Sequence, residues 1–195
     1  MKKLLTLLVV TGLLLASRPA LAADYQLDPV HSSIGFQVSH LMVSKTTGSF
    51  GDYTTDIRFD PQDLTGSSIN VTIQAASIDT NNEKRDTHLR SGDFFDAETF
   101  PTITFTSTSI TEQGDGYLIT GNLTIRGVTR ELAIPAEILG PVKSPYGFDA
   151  IGISGSTVIN RQDFGVSWNK QLDQGGVMVG DDVKVNFEIE AHSGK

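Results

Sequence analysis

The segment Asn81–Pro101, with the sequence NNEKRDTHLRSGDFFDAETFP, decides the fold because it is the one stretch that lacks a β-strand pattern. Thr80 and Glu83 have the spacing of a capping box, in which the two residues satisfy free N–H groups at a helix start. Asp86 and Arg90 stand four residues apart with the acid first, the favourable order for an ion pair along a helix. The segment therefore predicts a helix.

The predicted helix covers Asn81–Ser91, about three turns. Gly92 follows it and is expected to stop the helix in a left-handed conformation. Phe94, Phe95 and Phe100 come next and need apolar partners. We expect this helix-plus-aromatic segment to close one end of a β-barrel.

The rest of the chain alternates apolar and polar residues, which is the pattern of half-buried β-strands. In the last strand, for example, Val183, Val185 and Phe187 share one face. Chains of many short strands joined by tight turns close into up-and-down barrels, with a β-sandwich as the alternative architecture. The predicted strands are Asp24–Asp28, His31–Leu41, Thr46–Phe59, Ser67–Ser77, Thr102–Thr111, Tyr117–Arg126, Val128–Leu139, Phe148–Ile159 and Val177–Glu190.

The N-terminus has the features of a bacterial secretory signal. Two lysines precede an apolar run, Leu4–Ala16, that is too short to span a bilayer, and Ala20–Ala22 is a small-x-small cleavage site. We predict a signal peptide over residues 1–22, cleaved near Ala22, release into the periplasm, and a single domain over residues 23–195. The alternative, an uncleaved membrane anchor, is disfavoured by the length of the apolar run.

Charge and cysteine content limit the classes of partner. The 195-residue chain carries 15 basic and 23 acidic residues, for a net charge of −8, and it contains no Cys. Cleavage after Ala22 would remove Lys2, Lys3 and Arg18 and no acid, which leaves a net charge of −11. Such an acidic domain is not expected to bind nucleic acid or anionic lipid surfaces by charge alone. Its core must also hold without disulfides.

A search for catalytic residues returns no candidate. The four histidines, His31, His40, His88 and His192, have no partner at a zinc-ligand spacing such as H-E-x-x-H. No Gly-x-Ser-x-Gly elbow is present, and without Cys there is no thiol nucleophile. We therefore expect a protein that is not an enzyme and that uses no metal and no cofactor.

The interior of the predicted barrel allows two interpretations. An eight-stranded barrel has an interior that side chains can fill or that can hold one small ligand. The inward positions mix bulky residues such as Phe36 and Phe105 with small ones such as Gly121 and Gly155. A filled core is the usual meaning of alternating apolar residues, whereas glycines inside strands remove side chains and favour a cavity, so both interpretations stay open.

Six motifs in order make the chain resemble the YceI-like family of exported bacterial proteins. The resemblance covers nearly all of residues 23–195, and its longest motif contains the helical segment. The motifs are DYQLDPVHSSIGFQVSHL, GSFGDYTTDIRFDP, SIDTNNEKRDTHLRSGDFFDAETFPTITFTSTSI, GYLITGNLTIRGVTRELAIPAEI, INRQDFGVSWN and VGDDVKVNFEIEA.

The resemblance implies an all-β fold, an extended antiparallel lipocalin-like β-barrel with one short helix between strands. It also implies a polyisoprenoid or similar long-chain lipid ligand in an apolar pore, and it permits a homodimer without requiring one. The implied pore residues are Ile34, Phe36, Val38, Tyr53, Ile57, Ile103, Phe105, Ile119, Ile125, Phe164 and Trp168. Candidate contacts for a phosphate, amide or quinone head group are His40, Arg85, His88 and Arg90, each of which has a structural ion pair as its alternative role.

The expected function is that of a periplasmic binding or carrier protein, with isoprenoid-quinone transport, storage or the stress response as its setting. No stable insertion in a membrane is expected. Binding of fatty acids or fatty amides, and a non-enzymatic structural or adaptor role, are the alternatives.

Overall fold

The computed structural model describes residues 22–173 and 175–194, so the predicted signal peptide lies almost entirely outside the described residues. Ten strands and one α-helix make up the fold, with three short 3₁₀ turns at 64–66, 75–77 and 161–164. The elements are β1 Ala23–His40, β2 Ser44–Phe50, β3 Tyr53–Phe59, β4 Ser68–Gln74, β5 Ile78–Asp79, α1 Glu83–Arg90, β6 Thr102–Gln113, β7 Gly116–Ile125, β8 Val128–Lys143, β9 Asp149–Asn160 and β10 Val179–Ser193.

The sheet closes into an antiparallel barrel because β1 pairs with β10. β2 and β3 pair with successive parts of β1 and act as one strand bent at 51–52, as predicted from the glycine at position 51. β4 and β5 are likewise separated only by the turn at 75–77. When β2–β3 and β4–β5 are each counted as one bent strand, the barrel has eight strands and no exposed sheet edge around most of its circumference. This confirms the predicted fold class, an antiparallel β-barrel.

β1 is one long strand, whereas the sequence predicted two strands separated at Pro29. The pairing with β10 shifts register between Asp28 and Ser33, so the residues from Pro29 onward bulge out of the ladder. A bulge tolerates a proline because its backbone makes no ladder hydrogen bond there. The predicted break is therefore a bulge within a continuous strand.

The predicted helix is present, but it begins differently from the prediction. Asn82, and not Thr80, is the N-cap, and its side-chain oxygen accepts a hydrogen bond from the backbone N–H of Arg85 at 3.0 Å. Thr80 is buried and donates its N–H and its hydroxyl to Asp86. The capping-box prediction and the predicted ion pair of Asp86 with Arg90 are therefore wrong.

The end of the helix also differs from the prediction. Ser91 is the C-cap, and Gly92 does not adopt a positive φ, so no left-handed stop is formed. The chain turns through 92–99 instead, with hydrogen bonds from the N–H of Phe95 to the carbonyl of Leu89 and from that of Ala97 to the carbonyl of Arg90. These bonds fold the aromatic residues back against the helix.

The helix and the aromatic segment sit on one end of the barrel, which we term the helical end. Phe94 is buried, and its carbonyl accepts a hydrogen bond from Arg126 Nη1 at 2.7 Å, in the turn between β7 and β8. The opposite end, which carries the β6–β7 hairpin, is filled by core side chains. There Phe59 is buried and meets the ring of Tyr117 edge-on at 6.1 Å.

Within 22–173 and 175–194, no helix has the length and apolar character needed to cross a bilayer.

Candidate functional site

Two apolar chambers lie end to end inside the barrel. The inner chamber has a volume of about 110 Å³, and the outer chamber, nearer the helical end, has a volume of about 150 Å³. Six side chains border both chambers, so the two adjoin along the barrel, and we term them together the tube. These six are Ile34, Ile73, Ile103, Leu123, Ile159 and Val185.

Aromatic rings lying over glycines shape the wall of this tube. Phe36 is directly opposite Gly48 in the β1–β2 ladder, and a Cβ built on that glycine would lie 2.5 Å from the ring. Phe187 is directly opposite Gly155 in the β10–β9 ladder, with the equivalent distance at 2.7 Å. The strand glycines therefore let phenyl rings lie flat against the wall. The rings fill the space that the sequence analysis expected these glycines to leave.

The inner chamber is almost free of hydrogen-bonding groups. Its only polar lining residues are Thr55 and Thr157. The hydroxyl oxygen of Thr55 is buried and is the one buried side-chain polar atom of the described residues that has no hydrogen-bond partner. A buried hydroxyl without a partner costs free energy, so this position is an exception in an otherwise hydrocarbon wall.

The outer chamber adjoins a wider opening, which we term the mouth, with a volume of about 410 Å³. The mouth lies between α1, the end of β1 and residues 168 and 178–179. Five side chains border both the mouth and the outer chamber. These are Phe36, Val38, Leu89, Phe94 and Val179.

The mouth collects basic side chains, and among residues 22–173 and 175–194 no carboxylate lines it. Lys84, Arg85, His40 and His88 all line it. The Nε and Nη2 atoms of Arg85 donate to the hydroxyl and carbonyl oxygens of Thr80, each at 2.7 Å. The remaining Nη1 of Arg85 and the Nζ of Lys84 have no partner among the residues that the structure describes. The mouth is therefore a locally basic site in a chain whose net charge is −8.

Three aromatic side chains stand together at the mouth. The ring of Trp168 lies 4.9 Å from His88 and 5.2 Å from Phe94, and His88 lies 5.0 Å from Phe94. His88 Nε2 also forms a 2.8 Å hydrogen bond with Asp93. This aromatic cluster connects α1 to the segment that follows β9, and all three side chains line the mouth.

Arg161 holds the other side of the mouth in place. Its guanidinium is buried and donates to the carbonyls of Val166, Trp168 and Gly180 and, at 3.0 Å, to Asp181. Burial lowers the pKa of Arg161, and the Asp181 carboxylate acts in the opposite direction. The side chain borders the outer chamber, yet its donors are taken up by the protein, so it positions Trp168 and is not a free cation.

The structure places most of the predicted pore residues on the tube. Ile57, Phe105 and Ile119 line the inner chamber, and Phe36, Val38, Ile125 and Phe164 line the outer chamber. Ile34 and Ile103 border both chambers, and Trp168 lines the mouth. Tyr53 lines none of these spaces and packs partly buried against the core, where burial raises its pKa.

Three of the four predicted head-group residues, His40, Arg85 and His88, line the mouth, whereas Arg90 does not. Arg90 donates to the carbonyls of Ala76 and Ile78 and lies 3.3 Å from Glu83. Arg90 therefore has the structural role that the sequence analysis gave as the alternative to head-group contact. Lys84 was missed because a lysine on a short helix has no sequence signal that tells which way it faces.

Several wall residues were also missing from the predicted pore. They come from the same alternating patterns, so their periodicity was a sufficient signal. They include Ile69, Val71, Ile73, Leu123, Val183, Val185 and Phe187.

Comparison with known proteins gives a consistent result. The YceI-like domain matches residues 25–191. A UPF0312 protein of Shewanella sp. (strain MR-7) is 41% identical over 169 residues, which is 85% of this chain and 88% of that protein. Among solved structures, BcnA of Burkholderia cenocepacia aligns with a TM-score of 0.74 and 26% identity, over 84% of this chain and 98% of that one.

A polyisoprenoid binding domain from Saccharophagus degradans aligns with a TM-score of 0.63 over 89% of this chain and 99% of that one. At 16% identity, this likeness shows a shared fold.

Proposed function

The chain belongs to the YceI-like family, and on that premise we propose that it is a periplasmic carrier that holds a polyisoprenoid or similar long-chain lipid in its tube. The observation that carries the proposal is that two apolar chambers and the mouth adjoin in a row and share lining side chains. The secretory pattern over residues 1–22 supports the periplasm as the compartment.

The tube suits a flexible hydrocarbon tail better than a compact ligand, because it is narrow and extends along the barrel axis. Burial of apolar carbon contributes about 0.8 kcal/mol per CH₂, so ten buried carbons contribute about 8 kcal/mol. The loss of motion on binding costs about 4–15 kcal/mol, so a tail of two or three isoprene units or more is needed for net affinity. That the related fold from Saccharophagus degradans is described as polyisoprenoid-binding agrees with this class of tail.

The mouth favours an anionic head group, such as a phosphate, over a neutral amide or quinone. Lys84 and Arg85 face it without an acidic residue among the lining side chains. Lys84 and the free Nη1 of Arg85 can donate charge-assisted hydrogen bonds, which are stronger than neutral ones. His40 lines the same opening, whereas Nε2 of His88 is already hydrogen-bonded to Asp93.

An exposed apolar turn beside the mouth supports a carrier that loads from a lipid surface. Leu41, Met42 and Val43 join β1 to β2 at the helical end, and Met42 and Val43 are 71% and 84% exposed. The N–H of Leu41 donates to the carbonyl of Met178, a residue that lines the mouth. Brief contact of this turn with a membrane would bring the mouth to the lipid without stable insertion.

The proposal is tested by native mass spectrometry of the mature protein purified from the periplasm that it is exported to. We expect a co-purified lipid with a long prenyl or acyl tail, and fragmentation identifies its head group. If the lipid is a straight-chain fatty acid or fatty amide, the proposed ligand class is wrong but the proposal that the tail binds in the tube stands. Absence of bound lipid, together with no uptake of added prenyl phosphates or fatty acids, would overturn the proposal and favour an adaptor role for the barrel surface.

Two variants and a matched control connect binding to the tube. Phe105→Asp places a charge in the inner chamber and is expected to abolish uptake, whereas Thr106→Asp places the same charge on the outer face of β6 and should leave uptake unchanged. Ile103→Phe fills the border between the chambers without adding charge, so it preserves the apolar core and should select shorter tails. Equal uptake by all folded variants would contradict binding in the tube.

A further inference from the structure

A cluster of four potential metal ligands lies at the end of the barrel opposite the mouth. Asp28 and His31 come from β1, and Glu190 and His192 come from β10. His31 Nδ1 lies 3.0 Å from Asp28 Oδ2, His192 Nε2 lies 2.7 Å from Glu190 Oε1, and His192 Nε2 lies 3.7 Å from Asp28 Oδ2. Nothing in the proposed lipid site uses these residues.

The strand register places two carboxylates against each other. Asp28 is directly opposite Glu190 in the antiparallel β1–β10 ladder. Like charges that face each other across a ladder are destabilising, so this pair needs a positive charge between them. The two imidazoles reach the same place, one from the bulge of β1 and one two residues farther along β10.

Three donor atoms lie close enough together to share one ion. The ligand atoms of Asp28, His31 and Glu190 all lie within 4.8 Å of one another. Zinc binds imidazole nitrogen and carboxylate oxygen at about 2.0–2.2 Å, which puts neighbouring ligands of a tetrahedral site about 3.3 Å apart, and the 3.0 Å contact between His31 and Asp28 is close to that value. His192 lies outside this group of three and contacts its two carboxylates at 2.7 and 3.7 Å.

The surrounding structure holds the ligands in position. Asp28 Oδ1 accepts a 2.9 Å hydrogen bond from the N–H of Val30, which leaves Oδ2 directed at the histidines. The Ser32 hydroxyl bridges the bulge to the backbone N–H of Glu190 at 2.9 Å. The imidazole of His192 stacks on Phe148 with a centroid distance of 4.1 Å. Such outer contacts orient the first ligands of metal sites.

The four side chains also differ in exposure in a way that suits ion entry. The side chains of Asp28 and His192 are only 17% and 16% exposed, whereas His31 is 64% exposed. On the neighbouring strand β9, the residue opposite Glu190 is Gly152, and a Cβ built there would meet no atom within 4 Å. An ion can therefore enter beside His31 and reach the less exposed ligands.

We propose that Asp28, His31 and Glu190 bind one Zn²⁺ ion or a similar first-row transition metal across the β1–β10 seam, with His192 hydrogen-bonded to Glu190 beside them. The imidazole of His31 favours such an ion over Ca²⁺ and Mg²⁺, because those take oxygen ligands. The ion neutralises the opposed carboxylates and ties together the two strands whose pairing closes the barrel. Its role is to secure the seam, separate from the lipid in the tube.

The test uses the full mature protein made without a histidine tag and treated with a chelator. Titration with ZnCl₂ in a calorimeter should show one site per chain, and Co²⁺ should give the intense visible absorption of a tetrahedral complex. The melting temperature should rise with added Zn²⁺, since an ion that binds only the folded state stabilises it.

Variants separate this site from adventitious binding. His31→Ala removes an exposed ligand, so the protein should stay folded while its Zn²⁺ affinity falls at least about tenfold. The double variant with Glu190→Gln should also lose the Co²⁺ spectrum and the rise in melting temperature. His40→Ala removes a histidine from the opposite end and should change none of these readouts. Equal Zn²⁺ binding by the wild type and the folded His31→Ala and double variants, or no binding by the wild type, would overturn the proposal.

Discussion

Thr80 donates both its backbone N–H and its hydroxyl to the same carboxylate oxygen of Asp86. Both residues are nearly inaccessible to solvent. Arg85 then donates to the hydroxyl and carbonyl oxygens of Thr80, so the end of β5 and the start of α1 are held by one small polar network. The position of the helix over the tube, and with it the position of the mouth, depends on this network.

Asp86→Asn is expected to destabilise the protein by about 2 kcal/mol, because hydrogen bonds to a charged acceptor contribute about 1.5–3 kcal/mol. Urea denaturation followed by circular dichroism measures the change. Glu83→Gln is the matched control on the same helix, since Glu83 is exposed and its ion pair with Arg90 is worth less than about 1 kcal/mol. Equal stability of the two variants would show that the Thr80–Asp86 contact is not what fixes the helix.

Lys84→Gln tests the preference of the mouth for an anionic head group. We expect the affinity for a prenyl phosphate to fall roughly fivefold, which corresponds to about 1 kcal/mol for an exposed charge contact. Affinity for the matching prenyl alcohol should not change. Lys184→Gln removes the same charge from the exposed part of β10 and serves as the control. A similar loss for the phosphate and the alcohol would exclude a head-group contact.

Thr55→Val removes the hydroxyl without a partner from the inner chamber. Since Val has nearly the same shape, we expect the free energy of unfolding to rise by about 1 kcal/mol. The affinity for an all-hydrocarbon tail should be kept or slightly improved. A loss of affinity on this substitution would instead show that the ligand presents a polar atom at this depth. Thermal denaturation and a lipid-binding titration of the same sample decide between these outcomes.

Val43→Glu places a charge on the exposed turn beside the mouth and tests whether lipid is loaded from a membrane surface. The rate of uptake from vesicles should fall, because a carboxylate resists entry into the lipid interface. The equilibrium affinity for lipid presented in detergent should be unchanged, since Val43 does not line the tube or the mouth. Val158→Glu, on an exposed site of β9, is the control. Equal uptake rates for Val43→Glu and Val158→Glu would show that this turn takes no part in loading lipid from the membrane.

Alternating sequence patterns were sufficient for the barrel and for much of the tube wall. Successive side chains of a strand point to opposite faces of the sheet, so when one face is buried the apolar residues of an alternating pattern, such as Ile34 and Ile103, face inward. Tyr53 obeys the same alternation and is paired with Ile73, which borders both chambers, yet it does not line the tube, so alternation alone does not decide which inward side chains reach the lumen. The N-cap was misassigned because Thr80 had a tertiary partner, Asp86, that outweighed the local capping preference.

The cluster around Asp28 could not be predicted from the sequence, for a different reason. Glu190 and His192 lie at the far end of the chain from Asp28 and His31, so no local spacing links them. They meet only because the last strand pairs with the first, in a register that the bulge after Asp28 shifts. A sequence search for ligands at short spacings therefore finds no metal site here.

The phenyl rings that lie over Gly48 and Gly155 have a practical consequence for engineering. A methyl group at Gly48 would lie 2.5 Å from the Phe36 ring and 2.8 Å from Thr80 Cγ2, both side-chain atoms, so Ala there must lift the ring away from the wall and into the lumen. At Gly155 the methyl group would also lie 2.8 Å from the backbone carbonyl oxygen of Pro135, so the same change there strains the sheet itself. The width of the tube can thus be reduced from Gly48 with the aromatic lining left unaltered. Pairing Gly48→Ala with Phe36→Leu would restore space, which makes this pair a means of selecting between linear and methyl-branched chains.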